Sequence, residues 1–206
     1  MARRVKIPML HTSIFFREPE MWAKLEKLIM QRYSKYTKFQ VLDLGCSWGA
    51  EAYSLAYTLH KLGYNYHITA VDQNPEVVNY ASKGVFKFDS NLRRVYRETD
   101  IFIQEGDGVI QGFVVNDVYR QKISFSVADI TTSTFWKTLR RNTFHLVVIR
   151  YVLIHIPTEK IPFILDNIYQ ILTPQGLLFL GRSEKIEKYS SNFKKIERGI
   201  YEPLRY

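Results

Sequence analysis

The groups best placed to do chemistry sit where apolar runs end. Phe39, Val41, Leu42 and Leu44 make one such run. It stops at a turn, Gly45-Cys46-Ser47-Trp48-Gly49, before Ala50, Glu51, Ala52, Tyr53 and Leu55 open a helical pattern. A strand that turns through glycines into a helix leaves backbone N–H groups unpaired at the helix start, and these hold polar ligand atoms. Gly45 and Gly49 carry no Cβ, so a ligand can come close to the chain. The next β-prone run, residues 66–71, ends at Asp72, 23 residues after Gly49. That is close to the roughly 20 residues between the glycines of a dinucleotide fingerprint and its ribose-binding acid. The pattern predicts a mononucleotide-type cradle with Asp72 on the ribose hydroxyls. The competing reading makes Asp72 the cap of the helix that Pro75 begins.

These positions need a scaffold, and the rest of the chain supplies its pattern. Met21, Trp22, Leu25, Leu28 and Ile29 have helical spacing within residues 18–33. The cradle helix runs to about Leu62 and is closed by Gly63. A short helix is expected at 75–81. Residues 83–123 carry charge, glycine and short alternating runs (101–104, 109–115) around Glu105-Gly106-Asp107-Gly108, which predicts a small antiparallel insertion at about 87–122. Strands follow at 122–127, which leads into Asp129, and at 145–150, apolar enough for burial on both faces. A short helix at 135–139 lies between them. An amphipathic helix spans 161–172, ended by Pro174 and Gly176. A strand at 177–180 and a closing pair at 193–196 and 199–203 complete the chain. Strands alternating with helices predict one doubly wound α/β domain, a Rossmann-like sheet with its ligand at the carboxyl ends of the strands.

Composition narrows the class. At 206 residues with 46% hydrophobic and 15% aromatic content, the chain is one globular domain, not a disordered one. The formal net charge of +9 points to an acidic partner, either nucleic acid or an acidic protein surface. The single cysteine, Cys46, excludes an internal disulfide and suits a reducing cytoplasm. No apolar run reaches the ~20 residues of a membrane helix, and the basic start lacks the features of a signal peptide. The five histidines, His11, His60, His67, His145 and His155, show no ligand spacing, so no metal is expected.

Several fragments, in order, carry a resemblance: SIFFREPEMW, GCSWGAEAYSLA, ITAVDQNPEVVNYASKGVF, FHLVVIRYVLIHI and LTPQGLLFLGRSE. Together they resemble the CheR family of S-adenosylmethionine methyltransferases, which esterify glutamate side chains of bacterial chemotaxis receptors. The D-x-G-x-S-x-G pattern of residues 43–49 is likewise a form seen in S-adenosylmethionine methyltransferases. The match runs from about Thr12 to Tyr201 and implies the catalytic domain without the small helical domain that precedes it in the family. It implies S-adenosylmethionine as cofactor and S-adenosylhomocysteine as product. By this resemblance Arg17 binds the methionine carboxylate near the reaction centre, Ser13 replaces a threonine hydroxyl, and His11 stands where asparagine is common. Gly45 and Gly49 shape the cofactor turn. Glu51 matches the second acid of G-E-E, near the cofactor's amino group, while Ala50 replaces the first. Trp48 replaces a threonine and either closes over the cofactor or packs. Asp72 matches the ribose acid. Asp129 and Ile130 match the Asn-Leu at the adenine, and Arg150 the arginine ending the fourth strand. Plainer readings compete: Arg17 as a surface arginine, Glu51 as first-turn helix chemistry, Asp129 as a loop cap.

Two departures bear on the acceptor. Tyr151 stands where asparagine is usual, and His155 where a tyrosine lies near the transferring methyl. A glutamate acceptor is already ionised at neutral pH and needs alignment, not a base. An imidazole can take a proton, so His155 admits an amine or hydroxyl acceptor; alternatively it only replaces the tyrosine's hydrogen bond. Three functions are therefore carried forward: a protein-glutamate methyltransferase acting through Arg17, Arg150 and His155; a methyltransferase with another acceptor; and a non-catalytic cofactor-binding module. The expected partner is a protein with an acidic surface, with a partner peptide at the β insertion. Nucleic acid is disfavoured because the chain has no N-P-P-Y-like motif.

Overall fold

The computed structural model describes residues 13–87, 90–104 and 112–205. His11 and the turn Glu105-Gly106-Asp107-Gly108 lie outside the described residues. The main sheet has seven strands: β1 (Lys38–Leu44), β2 (Asn65–Asp72), β6 (Ile123–Val127), β7 (Phe144–Ile149), β8 (Leu172–Leu180), β9 (Phe193–Glu197) and β10 (Ile200–Pro203). Their order is β6-β2-β1-β7-β8-β10-β9. The first five are parallel; β10 runs antiparallel to β8, and β9 to β10. A second sheet, ordered β3-β5-β4, is antiparallel and built from β3 (Val85–Lys87), β4 (Phe102–Gln104) and β5 (Gly112–Val115). The helices are α1 (Pro19–Arg32), α2 (Ala50–Lys61), α3 (Pro75–Lys83), α4 (Ser90–Glu98), α5 (Asp117–Arg120), α6 (Ser133–Lys137) and α7 (Ile161–Ile171).

Side chains alternate across a strand, so the central strands feed two cores. Phe39, Val41, Leu146 and Val148 face a core shared with α1, α2 and the aromatic side of the small sheet. Leu42, Leu44, Val147 and Ile149 face the other, filled by Ile161, Ile164, Leu165, Ile168 and Ile171 of α7. The chain leaves β1 toward β2 and β6, then crosses to β7 on β1's other side. The loops after β1 and β7 therefore part company, and a crevice opens between them at the carboxyl ends of the strands.

Two expectations need correcting. Helix α7 ends at Ile171 and β8 begins at once, because Leu172 is already extended at φ −66° and ψ 141°. Pro174 and Gly176 therefore lie within β8's irregular entry, where its pairing with β7 shifts register, and do not terminate the helix. The insertion is also part helical. Leu92 and Val95 are buried and Tyr96 packs against the same core, a short one-sided stripe that the arginines around it obscure in the sequence.

His145 shows how β7 is seated at its amino end. Its Nδ1 accepts the Gln40 N–H at 3.0 Å, and its ring stacks on Phe39 with centroids 5.2 Å apart. Burial depresses its pKa. The fold thus wants a neutral imidazole. The unfolded chain takes up a proton below the ordinary value of about 6.5, so this contribution is present above that pH and is lost as pH falls toward the folded value. Denaturant unfolding at pH 7.5 and 5.5 is expected to show lower stability at the acid end. His145→Gln, which keeps an acceptor but does not titrate, is expected to lose part of that difference; an unchanged difference refutes the assignment.

Candidate cofactor and acceptor site

The segment before α1 reaches the crevice because its phenylalanines are anchored. Phe15 is buried against Trp48, Phe86 and Phe102, and the Phe16 N–H donates to Ser54 Oγ at 3.1 Å. The Arg17 carbonyl accepts from Trp22 Nε1 at 3.0 Å. Trp48 therefore packs in one aromatic cluster with Phe15 and with Phe86, whose ring centroid is 5.3 Å away, and does not line the crevice.

The loop after β1 is braced from β2. The Gly45 and Cys46 N–H groups both donate to the Val71 carbonyl, at 2.8 and 2.9 Å. The Ser47 N–H donates to Asp72 Oδ2 at 2.9 Å, and the Asn74 N–H to Asp72 Oδ1 at 3.0 Å. Asn74, not Asp72, caps α3, accepting the Glu76 N–H at 2.9 Å. The helix-cap reading of Asp72 thus fails; the residue lines the crevice, and a carboxylate oxygen with one hydrogen bond has capacity for another. The glycines act differently from the expectation. A Cβ on Gly45, at φ +77°, would sit 2.4 Å from Val152; one on Gly49, at φ +92°, would sit 3.0 Å from Ala81 of α3. The missing side chains make room for protein neighbours. Gly45 still lines the crevice, whereas Gly49 does not.

The crevice encloses about 560 Å³, within the range of small-molecule sites. It brings together Ser13, Arg17, Gly45, Asp72, Asp129, Ile130, Arg150, Tyr151 and His155. Asp129 is also the cap of its own loop, accepting the Thr131 N–H at 2.8 Å, and its Thr131 hydrogen bonds hold its carboxyl below the usual range. Trp136 Nε1 donates to the Ile130 carbonyl at 2.8 Å and fixes that residue as an apolar wall.

At the other end lies an ion-pair cluster. The Arg150 side chain is 1% exposed; its Nη1 donates to Glu51 Oε1 at 2.6 Å, and its Nη2 to Glu18 Oε2 at 2.7 Å and to the Arg17 carbonyl at 2.9 Å. Glu51 is thus held behind Arg150 and does not line the crevice. Burial works against ionisation of Glu18, but its bonds from Tyr151, Arg150 and Arg182 outweigh this and lower its pKa. Tyr151 sits at φ +58°, a conformation that asparagine adopts more readily than tyrosine. Its N–H donates to Glu184 Oε2 at 2.7 Å, its hydroxyl donates to Glu18, and the Arg17 guanidinium lies 3.6 Å from its ring centroid. Gly181 makes space for that ring and shares the Glu184 carboxylate through its own N–H at 2.8 Å. Among the described residues Arg17 makes no ion pair.

Sequence reasoning did not single out Glu18, Glu184, Gln73 or Lys160, and carried Asp43 only as the first residue of the D-x-G-x-S-x-G pattern. Gln73 and Lys160 line the crevice, and Lys160 Nζ reaches Thr131 Oγ1 at 3.4 Å. Asp43 is buried in β1, where desolvation first, then Glu51 and Asp72, push its carboxyl well up. The available signal was an acid inside an apolar strand.

The residues suit a nucleoside cofactor: carboxylates at two neighbouring strand tips with spare acceptor sites, an apolar wall between them, and enough volume. Fold and crevice define a Rossmann-like domain of the S-adenosylmethionine-dependent methyltransferase class. The solved structure of the citrinin polyketide synthase CMeT domain shares this fold, with a TM-score of 0.51 and 15% identity over 79% of this chain and 33% of that one. The chain belongs to the CheR methyltransferase family, whose SAM binding domain matches residues 11–201. S-adenosylmethionine is accordingly its cofactor. A chemotaxis protein methyltransferase of Listeria monocytogenes is 31% identical over 183 residues, 86% of this chain and 66% of its own length. The Pseudomonas putida protein named "Probable biofilm formation methyltransferase WspC" is 28% identical over 180 residues, 82% of this chain and 40% of its own length. The chain thus spans about two thirds of the first relative and less than half of the second. Among the described residues, no helix is long and apolar enough to cross a membrane.

Proposed function

We propose that this domain transfers the cofactor's methyl group to a carboxylate of a protein substrate, in the manner of a protein-glutamate methyltransferase. When bound, the cofactor supplies a methyl whose C–S bond breaks as a carboxylate oxygen bonds to its carbon, leaving S-adenosylhomocysteine and a methyl ester. Asp72 would take the ribose hydroxyls, Asp129 and Ile130 the adenine, and Arg17 the methionine carboxylate, with Ser13 beside it. Arg150, Glu51 and Tyr151 fix the wall behind them.

The observation that carries the acceptor class is the distribution of charge. The only carboxylates lining the crevice among the described residues are Asp72 and Asp129, both on the nucleoside side. The rest of the lining includes Ser13, Ile14, Val152 and His155, with Arg17 over the Tyr151 ring. None of these side chains carries a negative charge that would repel an anion, and an ionised carboxylate gives up no proton on methylation. The protein substrate fits the basic balance of the chain, with a partner peptide at an outer strand of the small sheet and a cytoplasmic setting as parts of the same proposal.

The second reading gives His155 the role of base toward an amine or hydroxyl, and is favoured by its place in the crevice lining. Labelled methyl transferred to protein from a host lysate is expected to be released by mild alkali as methanol, which esters yield and methylamines do not. His155→Gln, which can donate but not take a proton, is expected to keep kcat within about threefold, whereas a lost general base costs roughly 10²–10⁴-fold. Alkali-stable product together with a collapse in His155→Gln establishes the second reading in place of the first.

A further inference from the structure

We propose that Glu18 is a positioning residue that sets the charge of the wall facing the reactive sulfur, and so favours the sulfonium cofactor over its neutral thioether product. The inference rests on the cofactor reading above. Arg150 lines the crevice, and Glu18 does not; Glu18 acts through Arg150. One carboxylate, Glu51, would suffice to neutralise that guanidinium, yet the structure supplies two, at 2.6 and 2.7 Å. The Arg150–Glu51–Glu18 unit is therefore net anionic and nearly dry, with side-chain exposures of 1%, 15% and 16%. Arg17 supplies a further cation at the crevice with no ion pair of its own among the described residues, so the balance at this end is close.

Glu18 is held for this task. Besides Arg150, its carboxylate accepts from the Tyr151 hydroxyl and from the Arg182 N–H at 3.2 Å, tying the ends of β7 and β8 to the start of α1. Its backbone is left-handed at φ +61°, directly before Pro19, which starts α1. With its charge removed, Arg150 and Arg17 face the crevice against Glu51 alone, and the wall becomes net cationic. A sulfonium is repelled by such a wall; a thioether is not.

Calorimetric titration of the full chain with S-adenosylmethionine and, separately, S-adenosylhomocysteine tests this. Glu18→Gln is expected to weaken the sulfonium on the order of tenfold and the thioether less than about threefold, as one unit charge acting across a partly dry site implies. Equal weakening of both ligands would mean a purely structural role and overturns the inference, as does no change in either. Glu18→Asp and Tyr151→Phe keep the charge while altering the bonding, and both are expected to retain the wild-type ratio. Glu51→Gln, on the same guanidinium, is expected to shift the ratio in the same direction; an unshifted ratio there also overturns the proposal, even if Glu18→Gln does not fold. Wild-type protein that binds neither ligand would sink the cofactor reading instead.

Discussion

Asp72→Ala is expected to weaken S-adenosylmethionine at least about a hundredfold, while the domain still folds. The estimate has two parts. A carboxylate that accepts from ribose hydroxyls makes charge-assisted bonds of roughly 1.5–3 kcal/mol each, and two of them exceed the 2.7 kcal/mol that corresponds to a hundredfold. Asp72 also ties the loop after β1 to the start of α3 through the Ser47 and Asn74 N–H groups, so its removal loosens the cradle. Asp72→Asn separates the two. It keeps one acceptor oxygen for the loop and loses the charge, and an intermediate loss of roughly tenfold is expected. Calorimetric titration of the three proteins with S-adenosylhomocysteine reads the result without turnover. Near wild-type affinity in Asp72→Ala would remove the ribose assignment, because no other carboxylate lines that side of the crevice apart from Asp129 among the described residues.

Asp72 was legible because apolar runs announce where they stop. The runs of β2 and β7 end directly on Asp72 and Arg150, and a parallel sheet gathers such tips at one edge. Glu51 was legible as a type but not as a place. Helix position alone points it toward the cradle, and only the three-dimensional contact shows its Oε1 paired with Arg150. Gly49 shows the same limit from the other side. A glycine after a strand suggests close approach of a ligand, but what approaches is Ala81, more than thirty residues on in α3. Glu18 was hidden by its neighbours. An acid before a proline reads as the start of a helix, and nothing in its surroundings in the chain foretells bonds to Arg150 and Arg182. Such partnerships depend on which strands lie side by side, a property of topology that local pattern does not carry.

That dependence makes Arg150 a residue whose loss should cost the fold heavily. Arg150→Met is expected to destabilise the domain by about 3 kcal/mol, the low end of the cost of removing one partner of a buried ion pair, since the carboxylates it strands are only partly buried. For a chain of this size that lowers Tm by roughly 6–12 °C. The apolar fit is not the problem: the guanidinium lies 4.6 Å from the Phe179 ring centroid and 5.9 Å from that of Trp22, and methionine suits such a box. The cost arises from Glu18 and Glu51, which keep their charge and lose their counterion. Combining Arg150→Met with Glu18→Gln and Glu51→Gln is therefore expected to recover part of the loss, an outcome that independent, additive effects exclude. Acid gives a second check with a definite sign. Folded Glu18 is held below its ordinary value, so its share of stability is present above about pH 4.3 and fades as pH falls through the folded value. The gap in Tm between wild type and Arg150→Met should begin to narrow above that pH, as the stranded carboxylates of the variant take up protons, and narrow further as wild-type Glu18 titrates. A gap that stays constant with pH, or a triple variant no more stable than Arg150→Met alone, would show that packing and not charge holds this corner of the crevice together.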